Sequence, residues 1–287
     1  MRWKIGRRST NIEDRRDEES SGDVSSGGGF RLGGKTMLLI VVVGLLMGQD
    51  PIQLLSMLSG MSVNSPSGVN HTSSTNNNEE ADFVSVILAD TEDTWGAILP
   101  SAGKQYRAPK LVLFTDQVDS ACGMSWAATG PFYCPSDQKV YIDLGFFNTL
   151  SQLGAPGDFA RAYVIGHEVG HHIQNLLGVS NQVHQLQQRL SQAEGNGLSV
   201  KLELQADCYA GVWANHANKQ RQLLEPGDVE EGLQAAASIG DDRLQSQAGH
   251  RVSPESFTHG SAQQRVAWLT KGLQSGDINA CNTFAAR

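Results

Sequence analysis

The residues best suited to chemistry lie in residues 162–177, which read AYVIGHEVGHHIQNLL. Within them His167, Glu168 and His171 form an H-E-x-x-H motif. On a helix, residues i and i+4 are rotated by only roughly 40°, so the two imidazoles face the same way and can bind one Zn²⁺. Glu168 falls beside that face, where its carboxylate can reach a metal-bound water without binding the metal.

A third ligand is available further along the chain. Glu203 and Asp207 form an E-x-x-x-D pair on a helix predicted over residues 199–218, and their i, i+4 spacing places them on one face. One of them can bind the metal while the other accepts a hydrogen bond from a ligand imidazole. The alternative, a solvated acidic face, is disfavoured by the apolar residues around the pair. Burying two histidines without a shared partner would also be costly.

Two histidines and one carboxylate leave a coordination position open for water, which is the pattern of a catalytic zinc site. Glu168 is then the general base that takes the proton of the zinc-bound water and passes it to the leaving amine. His172 follows His167 by five residues and lies about 140° away on a helix, so we expect it to serve packing or the substrate side. His184, His216 and His250 have no partner at a suitable spacing and are predicted to be structural.

The composition restricts the class of partner. The chain has 287 residues and a net charge of −8, and the excess of acidic residues lies after residue 35. An acidic main domain without a recognition motif argues against nucleic acid as the partner.

Four cysteines are present, at positions 122, 134, 208 and 281, and none belongs to a C-x-x-C pair. A thiolate zinc site is therefore disfavoured. We favour two disulfides, because the domain is expected outside the cytoplasm. Of the three possible pairings we favour Cys122–Cys134, which would close a short local loop, and therefore Cys208–Cys281. The alternative is four buried free thiols in a cytosolic protein.

The first 80 residues do not read as part of a core. Residues 1–35 are charged and rich in Gly and Ser and are predicted to be a disordered cytoplasmic tail. Residues 36–50 contain the strongest apolar run, TMLLIVVVGLLMG, and are predicted to be a single transmembrane anchor. A signal-peptide core and a buried helix are the alternatives. Residues 51–80 are a Ser/Asn-rich linker, and the preceding cations predict a cytoplasmic N-terminus with the domain outside.

The folded domain is predicted over residues 81–287. We expect a helix over residues 81–100, then strands at Lys110–Phe114, Phe132–Cys134 and Lys139–Asp143. Asp158 is the expected N-cap of the motif helix and Gly178 its end. Further helices are predicted over 183–193, before a break at residues 195–197, and over 199–218, 228–239 and 261–273.

H-E-x-x-H with a downstream E-x-x-x-D resembles the gluzincin metallopeptidases. Residues 121–147, 164–178 and 203–216 are similar to the bacterial, membrane-anchored family known as putative neutral zinc metallopeptidases, and the resemblance covers roughly residues 81–280. It implies an α+β, zincin/minigluzincin-like fold, mainly helical, with a small sheet along the active-site cleft. It also implies one Zn²⁺ with Glu203 as third ligand, Asp207 behind a ligand histidine, and an extended peptide paired with the Lys139–Asp143 strand.

Residues 257–265 resemble a segment near the end of the gluzincins related to the CAAX-processing peptidases. By this analogy His259 stabilises the oxyanion and Arg265 pairs with Asp207. A His259 that caps the last helix, with a solvated Arg265, is the equal alternative, and Tyr209 is a weaker candidate for the oxyanion donor.

These observations predict a membrane-anchored, zinc-dependent endopeptidase acting on a peptide or protein substrate on the periplasmic or extracellular side of a bacterial membrane. One alternative is a zinc hydrolase of a non-peptide amide. Another is a zinc-binding module without turnover, which the presence of Glu168 beside the two histidines disfavours.

Overall fold

The structure, a computed structural model, describes residues 1–18 and 74–285. These residues form an α+β fold that is mainly helical with a small sheet, so the predicted fold class is confirmed. The predicted anchor over residues 36–50 and the linker up to residue 73 lie outside the described residues. Within residues 1–18 and 74–285, none of the helices has the length and apolar character needed to span a bilayer.

The described elements are eight α-helices and six strands, joined by short 3₁₀ turns. The helices are α1 (Ser74–Ser101), α2 (Phe146–Gln152), α3 (Asp158–Leu177), α4 (Val179–Gln187), α5 (Gln192–Arg221), α6 (Asp228–Ser238), α7 (Asp241–Gln247) and α8 (Ala262–Ser275). The strands are β1 (Ile12–Asp14), β2 (Lys110–Phe114), β3 (Gln117–Ser120), β4 (Gly123–Trp126), β5 (Phe132–Cys134) and β6 (Lys139–Asp143).

The main sheet has the order β1-β2-β6-β5, with β1, β2 and β6 parallel and β5 antiparallel to β6. Strand β6 is therefore paired on both sides, and the expectation that a substrate pairs with Lys139–Asp143 is wrong. Its apolar centre suits an interior position, because interior strands are covered on both faces. Among the described strands of this sheet, β5 is the edge nearest α3, where the Tyr133 hydroxyl lies 3.0 Å from Nδ1 of His172.

The predicted disorder of residues 1–35 is wrong for residues 1–18. Strand β1 pairs with β2 in register, Ile12 opposite Leu111, and Trp3 is buried against Phe83 with ring centroids 5.2 Å apart. The composition misled the prediction because the charges of this segment are paired with the domain. Glu13, for example, binds Lys110 and Lys139 at 2.9 and 2.8 Å.

This packing also changes the expected topology. Since β1 is a strand of the sheet that β2 and β6 complete, residues 1–18 and 74–285 form one folded unit and lie on the same side of any membrane. The predicted arrangement, with a cytoplasmic N-terminus and the domain outside, is therefore wrong. The domain boundary also shifts, because α1 begins at Ser74 and already includes the end of the predicted linker.

Helix α3 carries the H-E-x-x-H motif and has the predicted span. Gly178 ends it in the left-handed conformation, with φ of 80°. The predicted N-cap is wrong, because Gly157 occupies that position. Asp158 instead accepts a hydrogen bond from the Trp3 indole at 3.1 Å. Glu231 on α6 supplies the missing acceptor, binding the backbone N–H of Phe159 at 3.1 Å.

Helix α5 carries the second motif and is longer than expected. The predicted break at residues 195–197 is wrong, because α5 runs through both glycines from Gln192. A capping box between Ser191 and Glu194 starts the helix. The Asn196 amide is buried and donates to the Glu255 carbonyl at 3.0 Å, which fixes the turn that glycine would otherwise weaken.

The two motif helices pack closely at one point. A Cβ added at Gly170 of α3 would lie 2.9 Å from the carbonyl oxygen of Ala206 on α5. Ala206 stands between Glu203 and Asp207, so the absence of a side chain at Gly170 lets the two motifs meet.

Both disulfides favoured by the sequence are present. Cys122–Cys134 ties the β3–β4 hairpin to the edge strand β5. Cys208–Cys281 ties α5 to the C-terminal 3₁₀ turn. The second bridge is fully buried and holds the end of the described chain against the helix that carries Glu203.

Candidate metal centre

Three predicted ligands converge between α3 and α5. His167 Nε2 lies 3.2 Å from His171 Nε2 and 3.1 Å from Glu203 Oε2, and His171 Nε2 lies 3.3 Å from Glu203 Oε1. Tetrahedral zinc with bonds near 2.0 Å holds its ligand atoms roughly 3.3 Å apart. The donor set and its spacing therefore fit Zn²⁺, and among the described residues no other such group of ligating side chains is present.

The far nitrogen of each ligand imidazole is held by an acceptor. His167 Nδ1 lies 2.8 Å from Asp207 Oδ1, and His171 Nδ1 lies 2.9 Å from Gln174 Oε1. With the proton on Nδ1, each ring directs the lone pair of Nε2 into the space that the three ligands share.

Asp207 is completely buried and fully hydrogen-bonded. Besides His167, it accepts from the Tyr163 hydroxyl at 2.5 Å and from Nε and Nη2 of Arg265, both at 2.9 Å. Burial alone would raise the pKa of Asp207, but Arg265 and His167 outweigh it and lower that pKa to about 2. Asp207 is thus an ionised acceptor in a fixed position.

The charges of the site favour a divalent cation. The carboxylates of Glu168, Glu203 and Asp207 face one buried guanidinium, that of Arg265, so neutral imidazoles leave two negative charges uncompensated. The same excess of negative charge raises the pKa of the imidazole of His167. Burial lowers the pKa of His167, yet Asp207 and Glu203 raise it to about 10 overall.

Glu168 is buried, at 7% exposure, and its carboxylate makes no hydrogen bond to any residue of the described ranges. Burial raises the pKa of this carboxyl. A desolvated carboxylate without a hydrogen-bond partner among the described residues is suited to exchange a proton with a water molecule beside it.

His259 is held at the margin of the site by Asp241. Oδ2 of Asp241 accepts from the backbone N–H groups of Thr258, His259 and Gly260, at 2.8, 2.7 and 2.9 Å. Its Oδ1 lies 3.3 Å from Nδ1 of His259. Burial would lower the pKa of His259, but Asp241 and Glu203 raise it, so the ring lies within electrostatic range of the ligands. The alternative capping role is excluded, because Ser261 caps α8.

The sequence matches, over residues 1–284, the family described as putative neutral zinc metallopeptidase. The chain belongs to this family. "Uncharacterized protein YpfJ" of Escherichia coli is 52% identical over 287 residues, covering 99% of both chains. "Uncharacterized protein Rv2575" of Mycobacterium tuberculosis is 47% identical over 203 residues, covering 67% of this chain and 66% of that protein. No solved structure matches. The predicted family is confirmed, and its description as a family of zinc metallopeptidases implies zinc as the metal.

His172 and Tyr209, which the sequence offered as candidates for the substrate side and for the oxyanion donor, lie away from His167, His171 and Glu203. His172 donates from Nε2 to the Arg107 carbonyl at 2.6 Å and accepts from Tyr133, and burial lowers its pKa to about 4. Tyr209 packs in the core against Trp95, with ring centroids 5.6 Å apart, and is not an oxyanion donor.

Three residues of the site were missed by the sequence analysis: Tyr163, Gln174 and Asp241. A weak signal exists for the first two, since they lie four residues before His167 and three after His171, on the face that carries the motif. No signal exists for Asp241, which meets His259 only because the fold brings α7 beside the segment that precedes α8.

Proposed function

We propose that the protein is a zinc-dependent endopeptidase that hydrolyses peptide bonds in peptide or protein substrates. The observation that carries this proposal is the triangle of His167, His171 and Glu203 atoms, 3.1 to 3.3 Å apart, with an acceptor behind each imidazole. Zinc held by these three residues would acidify a water molecule and polarise the scissile carbonyl.

Glu168 is the proposed general base. It follows the ligand His167 directly and has a desolvated carboxylate with no partner among the described residues. Its carboxylate takes a proton from the attacking water and delivers it to the leaving amine. The raised pKa keeps the protonated form accessible for that second transfer.

His259 is the proposed donor to the oxyanion. The Asp241 carboxylate favours a protonated ring and fixes the backbone around it through three N–H groups. An imidazolium at the margin of the ligand cluster would stabilise negative charge that develops on the carbonyl oxygen.

The substrate strand is proposed to pair with the edge of β5 rather than with β6. Tyr133 of β5 contacts His172 on α3, so this edge lies against the helix that carries the motif. The disulfide from Cys134 to Cys122 holds the strand in place. Backbone pairing at a sheet edge binds an extended peptide with little dependence on its side chains.

Two disulfides in a chain of four cysteines support a location outside the reducing cytoplasm. Residues 36–50, which the structure does not describe, remain the predicted membrane attachment. The orientation with opposite sides for the N-terminus and the domain is not part of this proposal.

The test combines metal binding with cleavage of an unbiased peptide library, followed by mass spectrometry. Glu168→Gln is expected to bind one zinc with wild-type affinity and to cleave at least 10²-fold more slowly, because it loses only the base. Glu203→Ala is expected to lose high-affinity zinc.

Glu230→Gln, an exposed change on α6, is the matched control and should leave both properties unchanged. A chelator should abolish wild-type cleavage, and added zinc should restore it. Cleavage by Glu168→Gln at the wild-type rate, or a wild-type protein that binds zinc and cleaves no peptide, would refute the proposed activity.

A further inference from the structure

Gln174 lies one turn after His171 on α3 and is completely buried. Its side-chain amide has three partners, which belong to both motif helices. Oε1 lies 2.9 Å from His171 Nδ1, and Nε2 lies 2.7 Å from the Leu202 carbonyl and 3.1 Å from Gln205 Oε1. Leu202 directly precedes the ligand Glu203.

The partners determine which way this amide points. The carbonyl oxygen of Leu202 can only accept a hydrogen bond, so the Gln174 atom beside it must be the NH₂ group. The oxygen of the amide therefore faces His171. Because that oxygen can only accept, Nδ1 of His171 must carry the proton.

Gln205 leads independently to the same orientation. Its Nε2 donates to the carbonyl of Cys281 at 3.1 Å, and a backbone carbonyl again accepts only. Oε1 of Gln205 must then face Gln174 and accept from its NH₂ group. The chain of hydrogen bonds from Cys281 to His171 has one consistent direction.

We propose that Gln174 is a positioning residue that holds His171 as the Nδ1–H tautomer, with the lone pair of Nε2 directed at the metal. This inference rests on the proposed zinc site. Gln174 does for His171, as a neutral group, what the ionised Asp207 does for His167. Through Leu202 the same amide also sets the distance between His171 on α3 and Glu203 on α5.

A purely structural role for Gln174 predicts different behaviour. A buried amide that only joins two helices would lower stability when replaced, and the tautomer of His171 and its intrinsic zinc affinity would not change. The tests therefore measure the ring and the metal as well as stability.

The first experiment replaces Gln174 by Met, which has similar volume and offers the Nδ1–H group only a thioether sulfur, a much weaker acceptor than the amide oxygen. Zinc affinity, measured by competition with a chelator, is expected to fall 10- to 100-fold in protein that remains folded. Gln187→Met is the matched control, because Gln187 also donates to a backbone carbonyl, that of Gly195 at 3.0 Å, away from the site. The zinc affinity of Gln187→Met, measured in the same way, should stay within about 3-fold of the wild-type value.

The second experiment reads the ring directly, by long-range ¹H–¹⁵N NMR of His171 in the wild-type protein. We expect a protonated Nδ1 and a metal-bound Nε2. An Nε2–H tautomer, or wild-type zinc affinity in folded Gln174→Met, would overturn the inference. If Gln174→Met does not fold, the tautomer of His171 read in the wild-type protein decides the inference.

The two proposals fail in distinguishable ways. A wild-type protein without zinc affinity would remove the proposed function. The tautomer of His171 could still be read in the metal-free protein at a pH where the ring is neutral, and it would test the Gln174 hydrogen bond alone.

Discussion

Neighbouring histidines on one helix have opposite electrostatic environments. His171 faces the carboxylate of Glu203, which raises its pKa against burial. His172 points to the other side of α3, between Tyr133 and the Arg107 carbonyl, where burial lowers its pKa to about 4. The rotation of roughly 100° per residue is enough to separate a ligand from a neutral packing residue.

Replacing His172 by Gln should make the free energy of unfolding less dependent on pH below about 6.5. In the unfolded chain this imidazole titrates near 6.5, so between pH 6.5 and about 4 the unfolded state binds more protons than the folded state. Stability is therefore lost as the pH falls through that window. From pH 7 to pH 5 the wild-type protein should lose about 2 kcal/mol more than the variant, as measured by urea unfolding of metal-free protein.

Both proteins contain the same metal ligands, so the difference between them isolates position 172. Parallel profiles for the two proteins would show that His172 is not held neutral in the fold.

At the residue scale, the sequence predicted what depends on spacing within one helix. His167, Glu168 and His171, and the pair Glu203 and Asp207, need only a helical period to be placed together. The contact of Asp241 with His259 depends on how α7 and the segment before α8 pack, which one sequence does not encode locally.

At the scale of the elements, the site depends on a close contact between α3 and α5. Gly170 has no side chain where the Ala206 carbonyl approaches. The ligands His171 and Glu203 lie within one turn of this contact, so the separation of the helices there sets the ligand distances.

Gly170→Ala should therefore impair metal binding more than its small volume suggests. The new Cβ would meet the Ala206 carbonyl oxygen at 2.9 Å, and the helices must move apart at a cost of about 1–3 kcal/mol. Zinc affinity, measured by chelator competition, should fall together with the melting temperature. Gly197→Ala in α5 is the control, because no atom lies within 4 Å of its added Cβ, and it should be neutral or stabilising by up to about 1 kcal/mol. Equal behaviour of the two variants would contradict this account.

Glycines in α5 and at the end of α3 show why element boundaries were only partly predictable. The periodic apolar positions of α3 and the terminal Gly178 gave its span correctly. In α5, Gly195 and Gly197 indicated a break, but the capping box at Ser191 and the buried amide of Asn196 continue the helix. Tertiary contacts outweighed the local cost of glycine, which is about 1 kcal/mol per residue.

At the scale of the whole molecule, the largest difference from expectation is the N-terminal segment. Composition describes residues 1–18 as too polar to fold, and by themselves they are. Their charges are complementary to those of the domain, as in the pairs of Arg8 with Asp82 and Glu13 with Lys139. Strand β1 pairs with β2, which lies about a hundred positions further along the chain. The composition of residues 1–18 contains no information about such a distant partner.

This packing predicts that an N-terminal probe and a domain probe report the same compartment. Ile5, 89% exposed, and Leu186, 53% exposed, are suitable for single cysteine substitutions. The native cysteines give no background, because all four are in disulfides. Intact cells producing full-length Ile5→Cys or Leu186→Cys are treated with a membrane-impermeant maleimide. Both sites should be labelled, or both should be protected until the cells are permeabilised.

Labelling after permeabilisation controls for the reactivity of each cysteine, and a protein without either substitution controls for specificity. A β1 strand cannot pair with β2 across a bilayer, because the roughly 30 Å hydrocarbon core separates the two sides. Opposite labelling of the two sites would therefore show that residues 1–18 do not complete the sheet in the cell.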